Sequence, residues 1–293
     1  MSRIILPHII TDDSAIGGSV IERSLVNAED RNRYLSYTPS AAGDQRTFTL
    51  SGWFKLYKID DNQQDFIWMC GGDGNNRFQV SREGVEQINF EPKSGGSDQA
   101  RFYTSNKFND PTAWYHFVFK ADTTQGTSSD RYNFYINGVE TEYGGTGGEV
   151  VTTSYPSQNT QFLWGSTIEH RIGRRSYNSD TADIGIAELH YTSGYAYDAT
   201  AFGYFDDQTG IWKPKKFTGS YGSAGWHLDF SDTTSTTTLG YDKSGNGNHW
   251  TLNNYSTDNA ILDTPTNNFP VWNPTTLTMG VSSNGTLTNG NLE

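Results

Sequence analysis

Between Thr47 and Tyr191 the chain alternates short aromatic and β-branched runs with clusters of Gly, Asn, Asp and Ser, a rhythm that commits it to many short strands joined by tight turns. Helical periodicity is almost absent. In the run Thr47 to Leu56, residues Phe48, Leu50, Phe54 and Leu56 share one face, because successive strand side chains point to opposite sides. That face is expected to enter the core. The run Trp114 to Phe119 is apolar on both faces, as a central strand covered on two sides would be. Tyr132 to Ile136 alternates again and meets Asn137-Gly138 and then Val139-Glu140-Thr141. This predicts a hairpin with a type I′ turn, whose two central residues need positive φ.

Asp183 to Tyr191 reads as a further strand, and Trp226, Leu228 and Phe230 fall on one side of another, so ordered structure extends into the C-terminal third. Asp198 to Phe202 predicts one short helical turn capped by Asp198, the only helix expected. From about residue 273 the composition turns to Thr, Ser, Asn and Gly, weakly structured or dependent on a partner.

Aromatic residues make up 14% of the chain against 34% for all hydrophobic types, so rings must supply most of the buried area, which favours strands over helices. A length of 293 residues fits one large sandwich with appendages. The net charge of −12 repels phosphate backbones and anionic lipid, and no nucleic acid is expected among the partners. The single cysteine, Cys70, excludes an internal disulfide and reads as a small buried hydrophobe beside Trp68 and Met69. The stretch Ile4 to Ile10, broken by Pro7 and His8, is too short for a membrane span or a secretory core. Synthesis in a cytoplasm followed by assembly into something larger is the expectation.

The segments Tyr34-Leu35-Ser36, Phe48 through Phe54, Trp114-Tyr115-His116, Phe134 through Gly138, Arg171-Ile172-Gly173 and Ile186-Ala187-Glu188 resemble the laminin-G-like, concanavalin A-like jelly roll in order and spacing. The resemblance implies an all-β fold, a two-sheet jelly-roll sandwich. A narrower one covers residues 186 to 274. Gly210 through Lys215, Thr218 through Gly222, Trp226 through Asp232, Asp242 through Asn248 and Asp263 through Asn268 are similar to segments of structural or fibre-like proteins of tailed, especially marine, bacteriophages. What it implies is a virion protein assembled in the host cytoplasm, part of the tail or fibre or a capsid decoration. Its expected partners are other virion proteins, further copies of itself as a trimer or higher oligomer, and a host surface glycan. The alternatives are a polysaccharide depolymerase of the virion and a purely structural cement.

The order departs from the usual laminin-G-like one: Leu228-Asp229-Phe230 and Asp242 through Asn248 correspond to the opening of such a domain but come last. A first strand folding back within the chain is preferred over one swapped between protomers. The expected organisation is an N-terminal arm over 1–29, a jelly roll over 30–272 and a polar extension over 273–293. On the arm, Ile4, Ile5, Leu6, Ile9 and Ile10 form an apolar cluster suited to docking on another subunit, with packing on the chain's own sandwich as the alternative.

Polysaccharide-cleaving enzymes of this general fold carry paired carboxylates about 5 Å apart. The nearest match is Glu140 and Glu142, on one strand face at roughly 6 to 7 Å by strand rise, but beside a tight turn and without a third acid; they read as solvated edge charges. No catalysis is expected. No paired-histidine motif exists, and His116, His190 and His227 read as ordinary polar or half-buried strand positions. No cofactor is expected beyond a structural calcium, which related jelly rolls often bind, with Asp73 and Asp242 as candidate ligands; tight turns need the same residues for their own geometry. For sugar, rings in polar loop-like surroundings are the natural platform, and Trp164, Tyr177, Tyr195 and Tyr197 are the candidates.

Overall fold

The computed structural model describes residues 19–268, apart from 28–31, 58–64, 84–85, 142, 144–152 and 178–179. In chain order the strands are β1 (Ser24–Asn27), β2 (Tyr34–Tyr37), β3 (Thr47–Leu56), β4 (Asp65–Asp73), β5 (Asn76–Glu83), β6 (Gln87–Phe90), β7 (Lys93–Ser94), β8 (Ser97–Asp98), β9 (Phe102–Tyr103) and β10 (Trp114–Asp122). They continue as β11 (Tyr132–Ile136), β12 (Val139–Glu140), β13 (His170–Ile172), β14 (Ile184–Ser193), β15 (Gly203–Phe205), β16 (Trp212–Pro214), β17 (Trp226–Leu228), β18 (Thr251–Asn253) and β19 (Ala260–Ile261). One antiparallel sheet runs β12-β11-β10-β3-β14-β1-β19, with β17 also paired to β14; a second runs β18-β2-β13-β4-β5-β6-β9.

The two sheets close on a core of rings. Phe48, Leu50 and Phe54 of β3 are fully buried and Leu56 nearly so, the face that the alternation marks for the core. Phe54 stacks on Phe117 at 5.6 Å between centroids, and Phe90 meets Phe119 at 4.6 Å across the sandwich. Cys70 is buried in the same cluster.

The opposite face of β3 is buried as well, which a sandwich alone does not require. Trp53, with Trp114 and Val118 of β10, packs under a second apolar layer built from Ile21, Ala199, Phe202 and Trp212. The first sheet is therefore covered by the second sheet inside and by the segment around 199–217 outside, so its central strands are apolar on both sides. Lys55, on that outer face, reaches Asp263 Oδ2 at 2.7 Å while Trp114 Nε1 donates to Asp263 Oδ1 at 3.2 Å. A buried lysine needs such a partner.

At the β11–β12 hairpin, Ile136 pairs with Val139, and Asn137 and Gly138 have φ of 47° and 82°. A Cβ on Gly138 would stand 2.2 Å from the Trp212 ring, so glycine is required both by the turn and by the covering layer. Ala199–Ala201 forms the short helical turn, with Asp198 accepting from Thr200 N. It is not the only one. A four-residue helix, α1 (Thr236–Leu239), is capped by Ser235 in a reciprocal exchange with Thr238, and single 3-10 turns span Ser128–Arg131 and Thr257–Asn259. These turns are too short for apolar periodicity to reveal, and in α1 the Thr-rich sequence mimics strand propensity while the cap and buried Leu239 decide locally.

The C-terminal strands fold back onto the same chain. β17 pairs with β14, β18 with β2 and β19 with β1, so the last third contributes to both sheets.

Candidate functional site

β14 does not keep a regular ladder with β3. Ala187 pairs with Trp53 and His190 with Ser51, which leaves one extra residue on β14, and Glu188 takes φ 47° at that bulge. Opposite lies Gly52, where a Cβ would stand 2.5 Å from Leu189 Cδ2 and 3.0 Å from the Phe54 ring, so a side chain there would have to displace both. The bulge re-aims the strand. Its first half pairs with β1, Ile186 opposite Leu25, and its second half with β17, Leu189 opposite Leu228. Leu189 stays in the core, while Glu188 and His190 emerge on the outer face.

His227 of β17 lies directly across from His190, and the two rings stack with centroids 4.2 Å apart. Glu188 Oε2 accepts from His227 Nε2 at 2.7 Å and stands 3.4 Å from His190 Nε2. His190 Nδ1 meets the Tyr221 hydroxyl at 2.9 Å, and the His227 backbone N–H donates to Asp242 Oδ1 at 2.9 Å. Burial works against charge on all of these groups. It alone would raise the Glu188 carboxyl, but the His227 charge and the hydrogen bonds from both imidazoles hold it well below the usual range. Burial likewise opposes protonation of His227, yet the Glu188 carboxylate outweighs it and moves that pKa up. At His190 burial wins, with help from the His227 charge, and the pKa drops to about 4.

Behind this cluster His116 is wedged between Trp53 and Trp212, 4.9 and 6.0 Å between ring centroids. The Trp212 indole can only donate, so His116 Nδ1 accepts at 3.1 Å and the proton sits on Nε2, facing Ser51 Oγ at 2.9 Å. The ring is neutral, its pKa pushed down to about 3 by burial and by the charge on His190.

These groups form the floor of a cleft of ≈ 370 Å³. Trp53, Phe202, Phe217 and Tyr221 supply rings to its walls, and Lys215, Lys216 and Lys243 supply positive charge. Among the described lining residues Glu188 is the sole carboxylate. Eight of the thirteen described lining residues come from beyond residue 200, from the covering layer and the C-terminal strands.

The sequence-based candidates fall elsewhere, with one partial exception. Trp164 is 1% exposed and belongs to the core, packed against His170 and Phe78; its polar flanks disguise a buried ring, so it offers sugar no platform. Tyr177 is half-buried, with Arg175 against its ring and its hydroxyl accepting from Arg77. Tyr195 is 42% exposed and stacks on Tyr197, whose ring meets Phe217 of the cleft edge at 5.3 Å. Asp73 Oδ1 accepts from the backbone N–H groups of Asn75 and Asn76 and so closes the β4–β5 turn. Asp242 is buried, and both its oxygens are taken, by the backbone N–H groups of His227, Ser244 and Asn248 and by the Ser244 hydroxyl. Asp242 thus commits both oxygens to its turn, whereas Asp73, which is exposed, commits Oδ1. Glu140 accepts from Asn133 on an exposed edge; Glu142 and the arm residues Ile4, Ile5, Leu6, Ile9 and Ile10 lie outside the described residues.

Sequence reasoning passed over Glu188, His190 and His227. The available signal was Glu188-Leu189-His190, two ligand-type side chains one residue apart on a strand, but its partner His227 arrives only through tertiary pairing. No helix among the described residues is long and apolar enough to cross a membrane.

Residues 29–190, more than half of the chain, match the family model described as the concanavalin A-like lectin/glucanases superfamily. Glu188 and His190 close that match, and His227 and Tyr221 lie beyond it. Among solved structures, the chain is similar to a heptameric SAP-like pentraxin from Limulus polyphemus (12% identity, 61% of this chain and 79% of that one, TM-score 0.41). It is also similar to domains LG4-5 of the mouse laminin alpha1 chain (10% identity, 71% and 48%, TM-score 0.41). A third likeness is to NanB sialidase from Streptococcus pneumoniae (18% identity, 63% and 28%, TM-score 0.40). No curated protein sequence matches.

Proposed function

Because the chain belongs to the concanavalin A-like lectin/glucanases superfamily, we propose that it is a non-catalytic binding module whose cleft over the β14 bulge takes a saccharide bearing negative charge. The observation that carries this reading is the pairing of chemistries in one concavity. The partly exposed rings of Phe217 and Tyr221 suit the C–H faces of a pyranose, and Lys215, Lys216 and Lys243 suit a carboxylate or sulfate on it. In a protein of net charge −12 these cations mark the place where an anion is welcome. Cleavage is not part of the proposal. Glycosidases of the two-carboxylate kind need an acid and a nucleophile or base, and the described lining offers Glu188 alone, already committed to His227.

The setting proposed for this module is the virion of a tailed phage, as a tail or fibre component or a capsid decoration contacting other virion proteins and copies of itself. The motifs between residues 186 and 274 support that placement. Display in many copies turns a weak site into firm attachment.

Titration calorimetry with acidic oligosaccharides, oligouronates for instance, and with neutral oligosaccharides of equal length tests the reading. Binding of the acidic series, weakened about tenfold or more by Lys216→Ala and by Phe217→Ala, is the expected result; one such loss corresponds to about 1.4 kcal/mol. Equal affinity for both series, or none for either, overturns it.

A further inference from the structure

The three groups on the cleft floor converge more tightly than one ion pair needs. Glu188 Oε2 lies 2.7 Å from His227 Nε2 and 3.4 Å from His190 Nε2, and one ligand atom from each residue falls within 4.8 Å of the others. We propose that Glu188, His190 and His227 form a binding site for a divalent transition-metal cation of the zinc type, with a fourth coordination position opening into the cleft.

Five observations carry this. The donor set, two imidazole nitrogens and one carboxylate oxygen, suits a borderline cation and not a hard one such as calcium, which takes six or more oxygens. Bonds of about 2.0–2.1 Å in a tetrahedral site place neighbouring ligand atoms roughly 3.3 Å apart, so the two distances to Glu188 already bracket what is required. The two rings, stacked 12° from parallel, would tilt towards each other to bring both Nε2 lone pairs onto one ion.

The ligands are also held from behind, as metal-bound imidazoles usually are. Tyr221 engages His190 through Nδ1 and thereby presents Nε2, while the strand pairing and the Asp242 carboxylate fix the backbone of His227. Glu188 is placed by a non-glycine residue in the left-handed region, a conformation that costs free energy and is retained where something depends on it. Finally, the side chains of Glu188 and His227 remain 22% and 20% exposed towards the cleft, so a bound ion would keep a position for water or for an oxygen of the cleft's ligand. Glu188 and His227 would suffice for an ion pair. The third convergent donor is what an ion pair leaves unexplained.

The inference goes beyond the saccharide reading and stands without it. Full-length protein stripped with a chelator is titrated with zinc chloride, and separately with cobalt chloride as a spectroscopic reporter. One equivalent of zinc should saturate the protein, and cobalt should give the intense visible bands of four coordination. Glu188→Gln and His227→Asn should abolish both signals, and Tyr221→Phe should weaken zinc binding by about 10–100-fold. The wild-type cobalt spectrum decides the matter even where a variant fails to fold. Absence of saturable one-to-one binding, a weak six-coordinate cobalt spectrum, or unchanged affinity in folded Glu188→Gln overturns the proposal. Saccharide titrations repeated in chelator keep the two readings apart: binding that persists there while zinc fails to bind removes the metal and leaves the module.

Discussion

At His170 both ring nitrogens are committed, Nε2 accepting from Gly165 N at 2.9 Å and Nδ1 donating to the Ile168 carbonyl at 2.8 Å. The ring is neutral, and burial holds its pKa down at about 4 against the milder upward pull of the Ile168 carbonyl. The folded value lies below the unfolded one, so between about pH 6.5 and 4 the unfolded chain binds more protons and stability is lost as pH falls. At about 1.4 kcal/mol per pH unit, this ring alone accounts for about 3 kcal/mol across that window. The melting temperature should fall on acidification, and the His170 ring resonances should stay those of the neutral form down to about pH 4; titration near 6.5 would refute the assignment. Gly138 makes a second test. Gly138→Ala meets both a positive φ and the Trp212 ring, and should cost about 2–4 kcal/mol in denaturant unfolding. The turn was legible in Asn137-Gly138, because its φ demand is local. The Trp212 contact was not, because nothing near Gly138 announces a ring arriving from a distant strand.

At the scale of elements, alternation revealed the faces of β3 and β11 because an apolar side chain two residues on must return to the same side. Residue parity also carried a trace of the bulge. Ile184 and Ile186 are buried in the core, then Leu189 and Tyr191, so the inward set switches from even to odd across Glu188. A reader who seeks only regular strands misses such a switch, and with it the site. Deleting Glu188 should restore a regular ladder between β14 and β3. The variant is expected to fold, melting within about 4 °C of the parent, roughly 1 kcal/mol for a chain this size, while losing the cleft's ligand. A variant that unfolds outright would mean that β17 depends on the bulge for its place beside β14. The outer layer was less legible, since Trp212 and Phe217 sit among Lys, Pro and Gly in stretches that read as loop.

For the molecule as a whole, the acidic surface and the lysine-edged cleft make a prediction about salt. Attraction between exposed charges fades over about 10 Å at 0.1 M ionic strength and about 3 Å at 1 M. Association of an acidic oligosaccharide should therefore slow as salt rises, with the dissociation rate changing less, which surface-based kinetics would resolve. Dissociation that accelerates as strongly as association slows would place the ligand's charge deeper than the exposed lysine rim. The sandwich follows from ring burial and was readable in strand patterns; the cleft depends on which distant segments meet, and patterns along one strand do not carry that.

The border of the family match runs through the cleft itself, with Glu188 and His190 on one side of it and Tyr221, Phe217 and His227 on the other. Because β17, β18 and β19 also complete the two sheets from beyond residue 190, the wall of the cleft and the closure of the sandwich rest on the same stretch of chain. Replacing that stretch wholesale would disturb the sandwich together with the cleft, so a preference has to be altered one lining side chain at a time.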